Sequence, residues 1–201
     1  MKKLKQNRTT SFIIIILIYT IATLVGITIY KMLEFSWWIS LLIADVSATI
    51  ITFIFSLIFD NASVYDPYWS VQPPVILVSL AIGKKLKIFG ILLIIVILYW
   101  GIRLTLNWAY TFKGLEHQDW RYTMLKEKTK IFYPIINFIG IHMVPTIIVY
   151  GCILPAVYAV INNLNITIYS TMFLFVSLAA ITIQGIADYE MHKFQKKLFF
   201  L

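Results

Sequence analysis

The sequence predicts an all-α protein, a polytopic membrane helix bundle with about six transmembrane helices in a single domain. Two observations lead there. Of its 201 residues, 60% are hydrophobic and 13% charged, with a mean hydropathy of +0.84. A soluble domain of this length cannot hide that much apolar surface in one core. The second observation is run length. Thr10 to Tyr30 holds 21 residues without a charge, and about 20 suffice to cross the hydrocarbon core.

The elements follow in order. The basic start of the first run, with Lys2, Lys3, Lys5 and Arg8, is also that of a signal peptide. The run is too long for an h-region, however, and no small-x-small cleavage site follows it, so it reads as a retained span. The second run, 37–59, carries one acid, Asp45. The third, 73–83, is short and begins at Pro73-Pro74, which suits a tilted, bent or re-entrant helix. The fourth covers 88–108. The fifth, 131–161, contains Pro134, Pro145 and Pro155, so a kink or break is expected. The sixth covers 166–187.

Charge orients the bundle. With six crossings and a cytoplasmic N-terminus, 13 of the 17 Lys and Arg fall inside and 4 outside (Lys31, Lys84, Lys85, Lys87), as the positive-inside rule requires. Both termini are then cytoplasmic, with the 60–72 loop, the Arg103 end of the fourth span, the 109–130 loop and the 188–201 tail. The net charge of +8 is spread over loops beside the spans and not along one groove-facing surface, which excludes nucleic acid as a partner. The bilayer is the partner this composition demands. Cys152 is the only cysteine, so disulfides within the chain and cysteine-based metal sites are excluded.

One stretch carries more chemistry than a connector needs. Tyr65 to Pro74 packs an acid, three aromatic rings, a hydroxyl, an amide and three prolines between two apolar runs. Trp100, Arg103 and Asn107 stand at i, i+3 and i+7, one face of a helix. There Arg103 either snorkels to the interface or faces the interior as a fixed cation for a phosphate or carboxylate. Gln184, Asp188 and Gln195 stand at i, i+4 and i+11, with His192 and Lys196 extending the stripe. In the longest loop, Glu116 to Tyr122 suggests a structured segment with Asp–Arg pairing; the histidine spacing of a metal site is absent. Asp45, alone in an apolar span, is read as a proton path, an ion pair with Arg103 or a Lys, or a protonated acid bonded to Ser47 or Thr49. His142 reads as a neutral core histidine.

Asp66-Pro67-Tyr68-Trp69-Ser70, then Arg103-Leu104-Thr105 with Asn107-Trp108, then Asp119-Trp120-Arg121-Tyr122 resemble the DUF1295 family of bacterial membrane proteins. That family is similar to the C-terminal domain of steroid 5α-reductases and, more remotely, to isoprenylcysteine methyltransferases. The resemblance covers about 60–201, leaving 1–59 as two N-terminal spans. It implies an oxidoreductase of a bacterial plasma membrane that holds NADPH from the cytoplasm and reduces a C=C bond of a lipophilic substrate. Asp66 and Tyr68 take the catalytic roles it implies, polarising the substrate carbonyl. Arg103, Gln184, Asp188 and Gln195 take the cofactor, and Trp69 and Trp100 the substrate. Negative charge grows on the enone oxygen during hydride transfer, so a donor there lowers the barrier. Tyr68 donates directly, and Asp66 only when protonated.

The sequence also departs from that pattern. Gln184 stands for an Asn and Gln195 for a basic residue, and no Arg-His-Pro-Asn sequence occurs in the chain. The chain is therefore expected to be C-terminally truncated, and neither to bind NADPH tightly nor to reduce substrate. Two other readings remain open: a non-catalytic membrane protein that keeps the fold, and a methyltransferase relative using S-adenosylmethionine.

Overall fold

The structure is a computed structural model that describes residues 5–198. Lys2, Lys3 and the terminal Phe199-Phe200-Leu201 lie outside the described residues. Seven helices frame the described residues: α1 Arg8–Met32, α2 Trp37–Ile58, α3 Tyr68–Ala81, α4 Ile88–Thr111, α5 Trp120–Thr129, α6 Val144–Ile161 and α7 Ile168–Leu198. Local chemistry places several starts. The Asn7 side chain caps α1 by accepting from Thr10 N at 3.1 Å, and Asp119 caps α5 by accepting from Arg121 N at 2.9 Å.

Five helical stretches are long and apolar enough to cross a membrane, the fourth being the continuous segment 120–161. The chain is an integral membrane protein of the multi-pass class. α3 has 14 residues, about 21 Å at 1.5 Å per residue, short of the roughly 30 Å hydrocarbon core. It nonetheless traverses the bundle. Its N-terminal connector is tied to the 112–118 loop by Asn61, and its C-terminal connector to the α6–α7 turn, where Asn163 bonds both Lys85 O and Lys87 N. The N-terminus, the 59–67 loop, the 112–119 loop and the end of α7 therefore share one face, called the terminal face below. The other connectors share the far face.

Three expectations are corrected here. The third apolar segment starts at Tyr68 and not at Pro73, so Tyr68 to Gln72 are helix and not loop. Pro73 and Pro74 lie inside α3 and leave the carbonyls four residues earlier without helical donors. The fifth segment is not simply kinked at a proline: Asn137–Met143 forms a π-helix between a single turn at Tyr133–Ile136 and α6. Asp45 makes no ion pair and bonds neither Ser47 nor Thr49, whose hydroxyls go to Ile43 O and Thr146.

Small residues let helices approach where lipid offers no hydrophobic incentive. Ala22 and Gly26 on α1 meet Ala44 and Ala48 on α2; a Cβ on Gly26 would lie 3.4 Å from Ala44 O. Gly101 on α4 is tighter still, since a Cβ there would stand 2.6 Å from both Ser70 O and Pro74 Cγ. The carbonyl released by Pro74 is thus capped by close approach of a second helix. Gly101→Ala is expected to cost about 1–3 kcal/mol through overpacking, read as a lower midpoint of thermal unfolding in detergent. An unchanged midpoint would show that α3 and α4 are separable.

Candidate functional site

The first turn of α3 divides two recesses, and the catalytic pair read from sequence falls on opposite sides of it. Tyr68 points between α1, α2 and α3 into an intramembrane cavity of about 180 Å³, walled also by Tyr19, Asp45 and Gln72 and otherwise mostly apolar, with Lys31 toward the far face. Asp66 lines a polar cleft of about 720 Å³ on the terminal face, with Trp69, Asn107, Lys113, Arg121 and Tyr122. A groove of about 470 Å³ between α1, α3 and α4 borders both, sharing Tyr19, Thr23, Val71 and Val75 as walls with the cavity and Trp108 with the cleft.

In the cavity, polarity is concentrated at one spot. Asp45 and Gln72 are 4% and 8% exposed, and neither Asp45 oxygen nor Gln72 Nε2 has a hydrogen-bond partner. Such groups at bilayer depth are costly unless a ligand or water meets them. Tyr68 is packed between the rings of Tyr19 and Tyr65, each 5.4 Å away centroid to centroid, on the wall of the cavity that also holds Asp45.

The cleft is built by two loops gripping each other. Asn61 Nδ2 donates to Leu115 O and His117 O, Ala62 N donates to Gln118 Oε1, and Asp119 N donates to Ser63 Oγ. Asp66 accepts from the Tyr122 hydroxyl at 2.7 Å. Burial pushes the Asp66 carboxyl up to about 6, against the opposing pull of Tyr122 and Ser63. Asp119 is held below the usual carboxylate range by the Arg121 guanidinium, which bonds both its oxygens at 2.9 and 2.8 Å. The expected Asp–Arg pairing of this segment is present.

The residues read as a cofactor stripe divide likewise. Arg103 Nη1 donates to Asp188 Oδ2 at 2.5 Å, while its Nε and Nη2 are buried without partners. Asn107 meets His192 at 2.6 Å. Arg103 and Asn107 therefore face α7 and do not snorkel. Gln184 and Gln195 are exposed on α7 and join neither contact. Trp100 packs on Trp69 at 6.0 Å, so those two do come together. Sequence reasoning noted Gln72 only as the amide of the Tyr65–Pro74 stretch, without a role, and did not single out Tyr19 or Asn61. The first two are ordinary residues within helical runs, whereas Asn61 follows Asp60, whose φ of 46° is the backbone mark of a turn that Asn and Asp tolerate.

The sequence profile of the family described as "Protein of unknown function (DUF1295)" matches residues 52–199. The chain belongs to the DUF1295 family. The match takes in the cleft, α3, Arg103 and α7, and leaves α1 and Asp45 outside. No curated protein and no solved structure matches the chain.

Two outcomes are expected. The raised Asp66 carboxyl contributes stability that is full below about pH 4 and lost as pH rises through about 6. Asp66→Asn therefore flattens the pH dependence of unfolding between 4 and 7, and a slope equal to that of wild type would assign the titration to another group. Asp188→Asn removes the charged partner of Arg103 and costs about 1.5–3 kcal/mol, read as faster amide exchange along the terminal half of α7. Unchanged exchange there would show that the ion pair does not hold α7 to α4.

Proposed function

We propose, in place of the expectation from sequence that the chain neither binds NADPH tightly nor reduces substrate, that this protein serves NADPH-dependent reduction of an electron-poor C=C bond in a lipophilic substrate that enters from the bilayer. The observation that carries the reading is the cavity itself: the phenol of Tyr68, the acid of Asp45 and the amide of Gln72 share one recess in mostly apolar walls, and the α1–α4 groove borders both it and the polar cleft. Cavities of about 150 Å³ accept a single ring. The reacting ring or carbonyl end of a substrate then sits at Tyr68 while its remaining length follows the groove.

The residues fit the cofactor in size and chemistry. The cleft's volume lies within the ~300–1,000 Å³ usual for ligand sites. Lys113 and Arg121 offer cations for phosphates, and Trp69, Trp108 and Trp120 offer ring faces; Arg103 does not line the cleft. NADPH, when bound, supplies the hydride. Tyr68 hydrogen-bonds the substrate oxygen where negative charge develops, Gln72 Nε2 donates to it, and Asp45 does so in its protonated form. This moves the polarising pair from Asp66 and Tyr68 to Tyr68 and Asp45. Asp66 instead braces the cleft through Tyr122.

A second reading, a non-catalytic member keeping the fold, is favoured by one observation: Gln184 and Gln195 are exposed and, among the described residues, hydrogen-bond neither Arg103 nor Asn107. Binding measurements in nanodiscs separate the two. A 3-oxo-4-ene steroid probe is expected to bind with its carbonyl stretch shifted to lower frequency. Tyr68→Phe should abolish the shift and weaken binding about tenfold or more. NADPH affinity should fall at least fivefold in Arg121→Ala. Probe binding indifferent to Tyr68→Phe and Asp45→Asn would overturn the substrate site. NADPH that does not bind, or binds equally to Arg121→Ala, would overturn the cofactor assignment.

A further inference from the structure

The bundle's buried polarity does not end at the cavity. Behind Tyr68 a series of side chains runs through the interior to the terminal face. Thr49 Oγ1 meets Thr146 Oγ1 at 3.0 Å, and Thr146 Oγ1 meets the Tyr65 hydroxyl at 2.7 Å, with the Tyr65 ring packed on that of Tyr68 at 5.4 Å between centroids. The Tyr65 ring lies on His142, with centroids 4.6 Å apart. His142 Nδ1 is 3.0 Å from Asn137 O, and Asn137 Nδ2 donates to Ser56 Oγ at 3.2 Å. Tyr133, one turn earlier, lies under the Lys126 ammonium, which pairs with Asp60 at the surface.

Two features separate this series from ordinary interhelical polar contacts. Three of its atoms, His142 Nε2, Asn137 Oδ1 and Tyr133 Oη, are buried without partners, in residues 0%, 2% and 7% exposed. Apolar side chains would avoid that cost, and bridging water relieves it. All three belong to the stretch where the helix widens: Asn137 and His142 lie in the π-helix and Tyr133 just before it. A π-bulge at a functional site is a recurrent arrangement.

We infer that this series is a hydrated proton path from the terminal face to Tyr68, through Tyr133, Asn137, His142, Tyr65, Thr146 and Thr49. Its use rests on the reductase reading. Reduction adds a hydride from NADPH to one carbon of C=C and a proton to its neighbour. Tyr68 gives its proton to the substrate oxygen it hydrogen-bonds as its O–H bond breaks, and the enol so formed tautomerises, losing that oxygen proton and gaining one at the neighbouring carbon. Thr49 then gives a proton to the Tyr68 oxygen and takes one from Thr146, which takes one from Tyr65. Tyr65 is reprotonated from water held at His142 and Asn137, so each cycle draws one proton from the medium at the terminal face. Hydroxyls are suited to this because each donates and accepts at once.

Radiolytic hydroxyl-radical footprinting of the protein in nanodiscs in ¹⁸O-water, with neither enone nor NADPH present, tests the path. Tyr65 and His142 are expected to incorporate label at more than five times the rate of Tyr150, which is buried near the far face. Asn137→Leu should lower their labelling at least fivefold and leave exposed Tyr110 unchanged, with Ser56→Ala as the milder variant should Asn137→Leu not fold. Tyr65 and His142 labelled no faster than Tyr150, or labelled equally in the folded variant, would overturn the path. Since the readout needs no substrate, positive labelling together with failed enone binding would sink the reductase reading alone.

Discussion

Asn61 is the contact on which the terminal face depends. Its amide nitrogen donates to Leu115 O and His117 O while its amide oxygen accepts from Ser63 N, with the residue 3% exposed. One side chain thereby satisfies groups on two loops that would otherwise be buried unpaired. From this clamp the 59–67 segment gains a rigid path, and that path aims the first turn of α3. Tyr68 and Asp66 then project to opposite sides because they stand two residues apart at the start of a helix. Without the clamp there would be no fixed wall between cavity and cleft.

The N-terminus is sewn into the same structure. Glu116 N donates to Lys5 O, Leu115 N donates to Ser11 Oγ, and the Lys5 ammonium bonds Phe59 O. The first span is thus integral to the site and supplies Tyr19, whose hydroxyl donates to Val64 O at 2.7 Å. That Tyr19 and Asp45 lie before the matched stretch 52–199 means the cavity combines a wall from the family region with one from the two spans that precede it.

Much of this was legible in advance, and the failures share a cause. Long charge-free runs identified the spans because bilayer thickness leaves few alternatives. Trp100, Arg103 and Asn107 were placed on one face by spacing alone; Asp188 and His192 meet the last two, while Trp100 packs on Trp69. The start of α3 was misplaced because Pro73 and Pro74 read as a helix boundary, whereas Gly101 lets α4 close over the carbonyl they release. The π-helix was missed because prolines are visible in a sequence and a change of helical register is not.

What the sequence by itself determined is the class: a multi-pass helical membrane protein, the positions of its apolar spans, and the segments that carry ionisable and aromatic residues. Periodicity and length decide those, because each helix satisfies its own backbone before it meets another. Only the tertiary structure decided which polar groups share a recess. Asp66 parts from Tyr68, Asp45 joins it, and Arg103 turns to Asp188, because these partnerships depend on rotation and approach between helices. Those are set by small residues and loop hydrogen bonds far apart in the chain.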